Sequence, residues 1–351
     1  MRLSPQARSQ LRRFRSLKRG YGSFLILAVL SVVALLAEIF VGNRPLLVKY
    51  NGHLFIPTYG SIHPGTDFGR DYAYETDYRA LKVSFAKEGK GNWIIMPPVP
   101  YGPNENCYPG EAFNPRPPDA SARHYLGTDQ INRDILARLL YGLRNSLIFS
   151  VGFVCLVYLI GVTIGCAMGY FGGWFDLGMQ RFIEIWSLIP FLLVVIIFRA
   201  ALPQGTSFGL GLLLFVVVMF AWTGMTYYMR SATYREKSRD YVAAAQVLGA
   251  GPFRVLFHHI LPNILSILVT FLPFTCSAAI GSLTALDYLG FGLPPPMPSW
   301  GELLRQGTSN LDAPWIVASA FSALSIVLIL ITFVGEAIRE AFDPKKFTIY
   351  R

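Results

Sequence analysis

Residues 146–170 read SLIFSVGFVCLVYLIGVTIGCAMGY, 25 positions without a charged side chain. A helix needs roughly 20 apolar residues to cross a bilayer, so this stretch is long enough to span one. Five more windows of the same kind lie on either side of it: 21–41, 185–203, 208–229, 264–286 and 315–335. Together the six hold only two charged residues, Glu38 and Arg199. Charged residues make up 15% of the 351-residue chain and hydrophobic residues 53%, against about 25% charge in a soluble globular protein. Mean hydropathy is +0.41. These values exclude a disordered chain, a collagen-like fibre and an ordinary soluble enzyme. They predict an all-α membrane protein with six transmembrane helices.

The net charge of +10 would suit a nucleic-acid binder, but its placement points to the membrane. Residues 1–20 carry Arg2, Arg8, Arg12, Arg13, Arg15, Lys18 and Arg19 and no acid. Short basic flanks stay in the cytoplasm, which puts the N-terminus inside and, after six spans, the C-terminus inside as well. The segments then expected inside (1–20, 171–184, 230–263, 336–351) hold 17 Lys and Arg, and the short outside loops (204–207, 287–314) hold only Arg305. A basic start before an apolar run could be a signal peptide, but the run is long and Ala34-Leu35-Leu36-Ala37 is no A-x-A cleavage pattern. The expectation is a retained first span, with the basic arm anchored by membrane lipids and no nucleic acid bound.

Residues 42–145 form the one candidate extramembrane subdomain, expected outside, between the first two spans. Recurrent proline (Pro97, Pro98, Pro100 and Pro103 in one stretch) disfavours long helices and central strands. An irregular insertion with some β structure is expected, with strand candidates at 46–48 and 93–96. It either meets a partner outside or only caps its own spans. Ile135, Leu136, Leu139, Leu140 and Leu143 recur at helical spacing. They suggest an amphipathic helix on the outer membrane surface, N-capped by Thr128 or Asp129. Cys107 is the insertion's only cysteine, and no cysteine pair has metal-ligand spacing.

The segment between the fourth and fifth spans, 235–263, reads REKSRDYVAAAQVLGAGPFRVLFHHILPN. Tyr241, Ala244, Ala245 and Leu248 occupy i, i+3, i+4 and i+7, one side of a helix. Asp240 stands where a carboxylate favours the helix N-terminus. Gly249 is placed to end the helix in a left-handed cap. Gly251 allows a turn, and Pro252 suits the first position of a second helix running to Pro262. A short helix pair with a small-residue knob fits a groove on another protein; an Ala-rich connecting helix is the plainer reading. His258-His259 has no carboxylate at metal-site spacing, so neither is read as a ligand.

This loop resembles the EAA loop of the permease subunits of ATP-binding-cassette importers, in which E-A-A-x-x-x-G followed by I-x-L-P forms the helix that docks on the ATPase. Ala244, Ala245, Gly249, Leu261 and Pro262 match, whereas Ala243 stands in place of the motif's Glu and His259 in place of Ile. Further stretches are similar to the C-type permease of the dipeptide, oligopeptide and nickel importers: LGTDQINRD (126–134, with Asn132 where the family has Gly), GYFGGWFD (169–176), LDYLGFGLPPPMPSWGELL (286–304) and GEAIREAFDPKK (335–346). NRPLLVKYNG (43–52) and DFGRDY (67–72) are most similar to the microcin C and oligopeptide branch. The resemblance implies the type I importer permease fold: five spans forming a core (146–335) with the coupling loop 230–263 between two of them. It also implies a second homologous permease subunit, cytoplasmic ATPase subunits and a periplasmic peptide-binding protein, all in the inner membrane or beside it.

The chain has no G-x-x-x-x-G-K-[ST] phosphate loop. No catalytic or metal residue and no cofactor is therefore expected on it, with ATP and Mg²⁺ on the partner ATPases. The resemblance assigns coupling to Asp240, Tyr241, Ala244, Ala245, Leu248, Gly249, Leu261 and Pro262. A stand-alone secondary transporter or channel is the rival. Coupled carriers place Asp, Glu or His inside the membrane, and the second, fourth, fifth and sixth windows have none. A membrane enzyme would need a nucleophile or metal cluster that the five histidines do not supply. Arg199 is a candidate to guide a peptide carboxylate, or an arginine that snorkels to the interface. Pro190 and Pro273 can kink the third and fifth spans, as gates or as packing features.

Overall fold

The computed structural model describes residues 5–89, 91–201 and 209–342; the expected outside loop 204–207 and the chain after 342 lie outside them. In chain order the helices are α1 (Pro5–Ser16), α2 (Lys18–Leu35), α3 (Ala37–Phe40), α4 (Tyr78–Glu88), α5 (Ile135–Phe171), α6 (Gly173–Ser187), α7 (Phe191–Ala201), α8 (Leu210–Lys237), α9 (Asp240–Val247), α10 (Pro252–Arg254), α11 (Leu261–Tyr288), α12 (Trp300–Ser309) and α13 (Pro314–Phe342). A π turn over Val255–Ile260 joins α10 to α11. Among the described residues, α2, α5, α8, α10 with α11, and α13 are each long and apolar enough to cross a membrane. The pair α6 and α7 makes a sixth span if its 68° bend is counted within one crossing. The all-α architecture with five to six spans is what the sequence predicts.

The third span departs from expectation. Its window, 185–203, straddles the break between α6 and α7. Residues 171–184, expected as a cytoplasmic loop, mostly form α6. Pro190 gives no N–H to the preceding turn, while its carbonyl accepts from Leu193 N at 3.0 Å, so the chain restarts as a new helix with its axis turned. Pro273, by contrast, lies inside a continuous α11.

A second correction concerns 135–145, expected as a separate helix on the membrane surface. These residues are the first turns of α5, a single 37-residue helix. Ile135, Leu139 and Leu143 are buried against α12 and α13 rather than lying on lipid. The cap is Asp134, whose Oδ1 accepts from Ala137 N at 2.8 Å. Thr128 and Asp129 are not caps. Thr128 Oγ1 accepts from Arg116 N at 2.9 Å, and Asp129 Oδ1 accepts from Arg133 N at 2.9 Å.

The main core forms where α5 and α8 lie against each other, with Phe149, Phe153, Val157, Leu213, Val217 and Met225 buried between them. Three glycines of α5 permit the approach. A Cβ on Gly161 would stand 2.7 Å from Met225 Cβ, one on Gly165 2.5 Å from the Thr226 carbonyl, and one on Gly169 2.7 Å from the Arg230 carbonyl. Spaced four apart, they form a groove along one face of α5 that takes the backbone of α8, the small-residue packing of membrane helices. Gly165→Leu should therefore force α5 and α8 apart. We expect the variant to accumulate at less than about a tenth of the wild-type level, a core overpacking effect of about 1–3 kcal/mol or more. Immunoblotting of membranes checks this, and wild-type accumulation with an unchanged melting curve would rule out the close packing.

The insertion folds on a small sheet of its own. Leu47–Tyr50 pairs antiparallel with His53–Phe55 on one side and Trp93–Ile95 on the other, matching the two strand candidates. Val48 and Ile94 face a core with Phe68, Tyr78, Leu81 and Phe85, the last three of these on or beside α4. Its inner edge is polar and buried. Asn132 adopts φ +61, the left-handed conformation that Asn tolerates better than most residues. Its side chain accepts from Asn114 N and donates to the Ala112 carbonyl. His124 Nδ1 lies 2.7 Å from Asp134 Oδ2. Burial pushes the Cys107 thiol up, with Glu105 and Asp134 adding to it, which keeps it protonated.

Candidate functional site

The segment that joins α8 to α11 is built as a stiff projection. α9 starts at Asp240, whose carboxylate sits in the exposed first turn, where the helix dipole favours it. It ends after Val247. Gly249 takes φ +83 and donates to the Gln246 carbonyl at 3.0 Å, while Ala250 N donates to the Ala245 carbonyl at 3.0 Å. This pair of bonds is a Schellman cap, which requires the left-handed residue. Gly251 is extended and Pro252 opens the next helix, as its position in the sequence predicts.

The faces of α9 differ from the expected ones. Val242 is buried in the main core beside Val255 and Ile260, and Ala245 is buried as well. Ala244 is exposed, Tyr241 is partly so, and Leu248 is 87% exposed. Tyr241, Ala244, Ala245 and Leu248 thus do not form one docking side: Ala245 holds the helix to the bundle, and Leu248 points away from it. The 3.6-residue period could not decide this, because α9 is apolar on nearly every side. The predicted separate second helix also differs. α10 continues through the π turn into α11, because Pro262 has no N–H for the preceding turn, which widens there. Pro262 is exposed near the start of α11, and Leu261 packs against the main core.

The exposed tip carries residues that the motif reading passed over. Val247 is 88% exposed, much as Leu248 is, while Phe253 and Phe257 line a groove with Val162, Cys166 and Phe171 of α5. Two large apolar side chains at the end of one projection make a contact surface rather than a core. The signal was present in the sequence, as apolar residues flanking the turn at Gly249-Ala250-Gly251.

The root of the projection is tied to three long helices. Tyr241 Oη donates to Glu236 Oε2 at 2.7 Å, and Asn263 Nδ2 donates to Tyr241 Oη at 2.9 Å and to the His259 carbonyl at 2.8 Å. Lys237 Nζ donates to the Tyr170 carbonyl at the end of α5. Close by, Arg230 of α8 grips Asp176 of α6 with two bonds of 2.5 and 2.7 Å, and Tyr234 Oη donates to the same carboxylate at 2.8 Å. The root of the projection is thus bonded among α5, α8 and α11, and α8 in turn to α6. Arg199 lies exposed in the last turn of α7, outside this surface.

Residues 161–348 match the family model described as "Binding-protein-dependent transport system inner membrane component". The chain belongs to this permease family. Relatives of known name extend the match over its whole length. The "Peptidoglycan transport system permease protein YejE" of Agrobacterium fabrum is 38% identical, covering 98% of this chain and 94% of that one. The "Inner membrane ABC transporter permease protein YejE" of Escherichia coli is 39% identical, covering 98% and 99%. The "Oligopeptide transport system permease protein OppC" of Lactococcus lactis is 33% identical over 228 residues, 64% of this chain. The full-length matches include the insertion; the family model begins after it. The permease is a multi-pass inner-membrane transport component, and family membership disfavours the stand-alone carrier or channel.

Proposed function

We propose that this permease is the membrane subunit of a peptide importer, carrying oligopeptides or peptide-like compounds such as microcin C or peptidoglycan-derived peptides. ATP and Mg²⁺ are bound by separate ATPase subunits, and this chain itself catalyses nothing. α9 lies on the cytoplasmic side with both termini, and the insertion faces the periplasm, where a binding protein delivers cargo. A second homologous permease completes the pathway.

The observation that carries the reading is the apolar tip of Val247 and Leu248 on a projection rooted in the bundle core. Such a surface gives an ATPase a hydrophobic purchase, and the ties to α5, α6, α8 and α11 turn its movement into a rearrangement of the spans. Asp240, Tyr241, Ala244, Ala245, Gly249, Leu261 and Pro262 serve this coupling by capping, rooting and shaping the projection, and only Leu248 and Ala244 of the motif set meet the partner. Arg199 is a candidate to guide a peptide carboxylate, beside the plainer role of an arginine that snorkels to the interface. The names of the YejE and OppC relatives support peptide cargo.

Purification of the tagged chain from its native membrane in mild detergent should recover a nucleotide-binding ATPase and a second multi-span permease. Cells lacking the chain should lose uptake of a labelled oligopeptide. Recovery of the chain alone, before and after cross-linking, would overturn the importer reading.

A further inference from the structure

A cleft of about 770 Å³ opens between α1, α2, α5, α11 and α13. Its walls are almost wholly apolar, with Leu27, Leu147, Val151, Pro273 and Ile331 among them, and its polar rim is set by Gln10 and Arg15 of α1. Along α13 the lining runs from Phe342 to Val327, sixteen residues or about 22 Å of helix. One leaflet of a bilayer contributes about 15 Å of hydrocarbon. The cleft thus runs along the spans from the level of α1 and is deeper than one leaflet.

α1 is an amphipathic helix placed across its mouth. Leu11 and Phe14 line the cleft, and Phe14 meets Tyr21 and Phe24 edge to face at 6.1 and 5.9 Å. Arg8, Arg12 and Arg15 are exposed and recur at i, i+4 and i+7, one side of the helix. Of these three, Arg15 lines the cleft, while Glu336 and Glu340 of α13 line a separate groove with Lys18 and Arg19.

We propose that this cleft holds an acyl chain of an anionic membrane phospholipid, with the phosphate at Arg15 on the rim and the exposed Arg12 and Arg8 adding positive charge on the same helix. The apolar walls take the chain and the basic rim selects the charge, the arrangement by which basic pockets between spans recognise acidic lipids. The lipid joins α1 to α2, α5, α11 and α13, so the N-terminal arm is fastened to the core through it.

The test uses the full chain with its co-purifying subunits, washed in mild detergent, and quantifies the retained lipid by mass spectrometry. Wild type should keep anionic phospholipid in molar proportion to the chain. Arg12→Gln with Arg15→Gln should reduce the anionic lipid about thirtyfold, the effect of removing two basic side chains from an acidic surface. Both side chains are exposed, so folding should not suffer. Ala28→Phe, which fills the cleft, should remove lipid of either head-group class. The proposal is overturned if the double glutamine variant keeps wild-type anionic lipid, or if zwitterionic lipid occupies the wild-type cleft equally. It is also overturned if a photoreactive residue at Leu147 captures another polypeptide in place of lipid.

Discussion

Val247→Asp combined with Leu248→Asp should reduce peptide uptake by about a hundredfold while leaving the chain in the membrane. Both side chains are nearly fully exposed, so nothing inside the permease depends on them. Burying a Val and a Leu against a partner contributes roughly 1.5–3 kcal/mol each, and burying an unpaired carboxylate there is unfavourable in its own right. A loss of about 3 kcal/mol or more is at least two orders of magnitude in affinity. The ATPase should accordingly vanish from the pull-down. Gly249→Asp should act similarly by another route, since an L-residue in the left-handed region costs about 1–2 kcal/mol and its φ of +83 is fixed by the Schellman cap. Val247→Ile is the control and should retain uptake. Normal transport and ATPase stimulation in both carboxylate variants would remove the tip from the coupling pathway.

The spans and the coupling turn were legible in the sequence because each rests on a local rule. Length and hydropathy alone give α2, α5, α8, α11 and α13, and the Gly249 cap and Pro252 helix start follow from backbone preferences that need no tertiary context. What was misread depends on what packs against what. A kink at Pro190 was expected, but the splitting of the third span into two helices turned by 68° lies inside an uninterrupted apolar window, where hydropathy could not reveal it. The turns from Ile135 to Leu143 have the same spacing whether they lie on lipid or against α12 and α13; only the partner helices decide. Ala245 and Ala244 are chemically identical, yet one is rooted in the core and the other is exposed. The groove of Gly161, Gly165 and Gly169 was visible as a four-residue repeat of glycine, and a search for small-residue spacing would have found the α5–α8 contact.

The buried charges under the insertion give the second large effect: Glu302→Ala should prevent the permease from accumulating. Glu302 on α12 accepts from Arg133 Nη2 at 2.9 Å and from Arg138 Nη2, and Arg133 Nε donates to Asp129 Oδ2 at 2.7 Å. Arg138 and Asp129 are fully buried, and Arg133 nearly so. Burial works against the Arg133 charge, but Asp129 and Glu302 outweigh it and raise its pKa; a guanidinium is not deprotonated in a protein, so both arginines remain cations. Removing Glu302 leaves two buried guanidinium groups to share Asp129, and breaking a buried pair by deleting one partner costs about 3–5 kcal/mol. That is a large part of the roughly 5–15 kcal/mol that holds a domain folded. The network fastens the LGTDQINRD segment and the start of α5 to α12, so its loss should free the insertion from the bundle. Arg138→Met with Glu302→Met should recover most of the loss, because Asp129 keeps Arg133 and no unpaired charge stays buried. Membrane abundance and the midpoint of heat-induced aggregation in detergent measure both variants. Equal destabilisation of the single and double variants would mean that packing volume, and not charge pairing, holds the insertion to the spans.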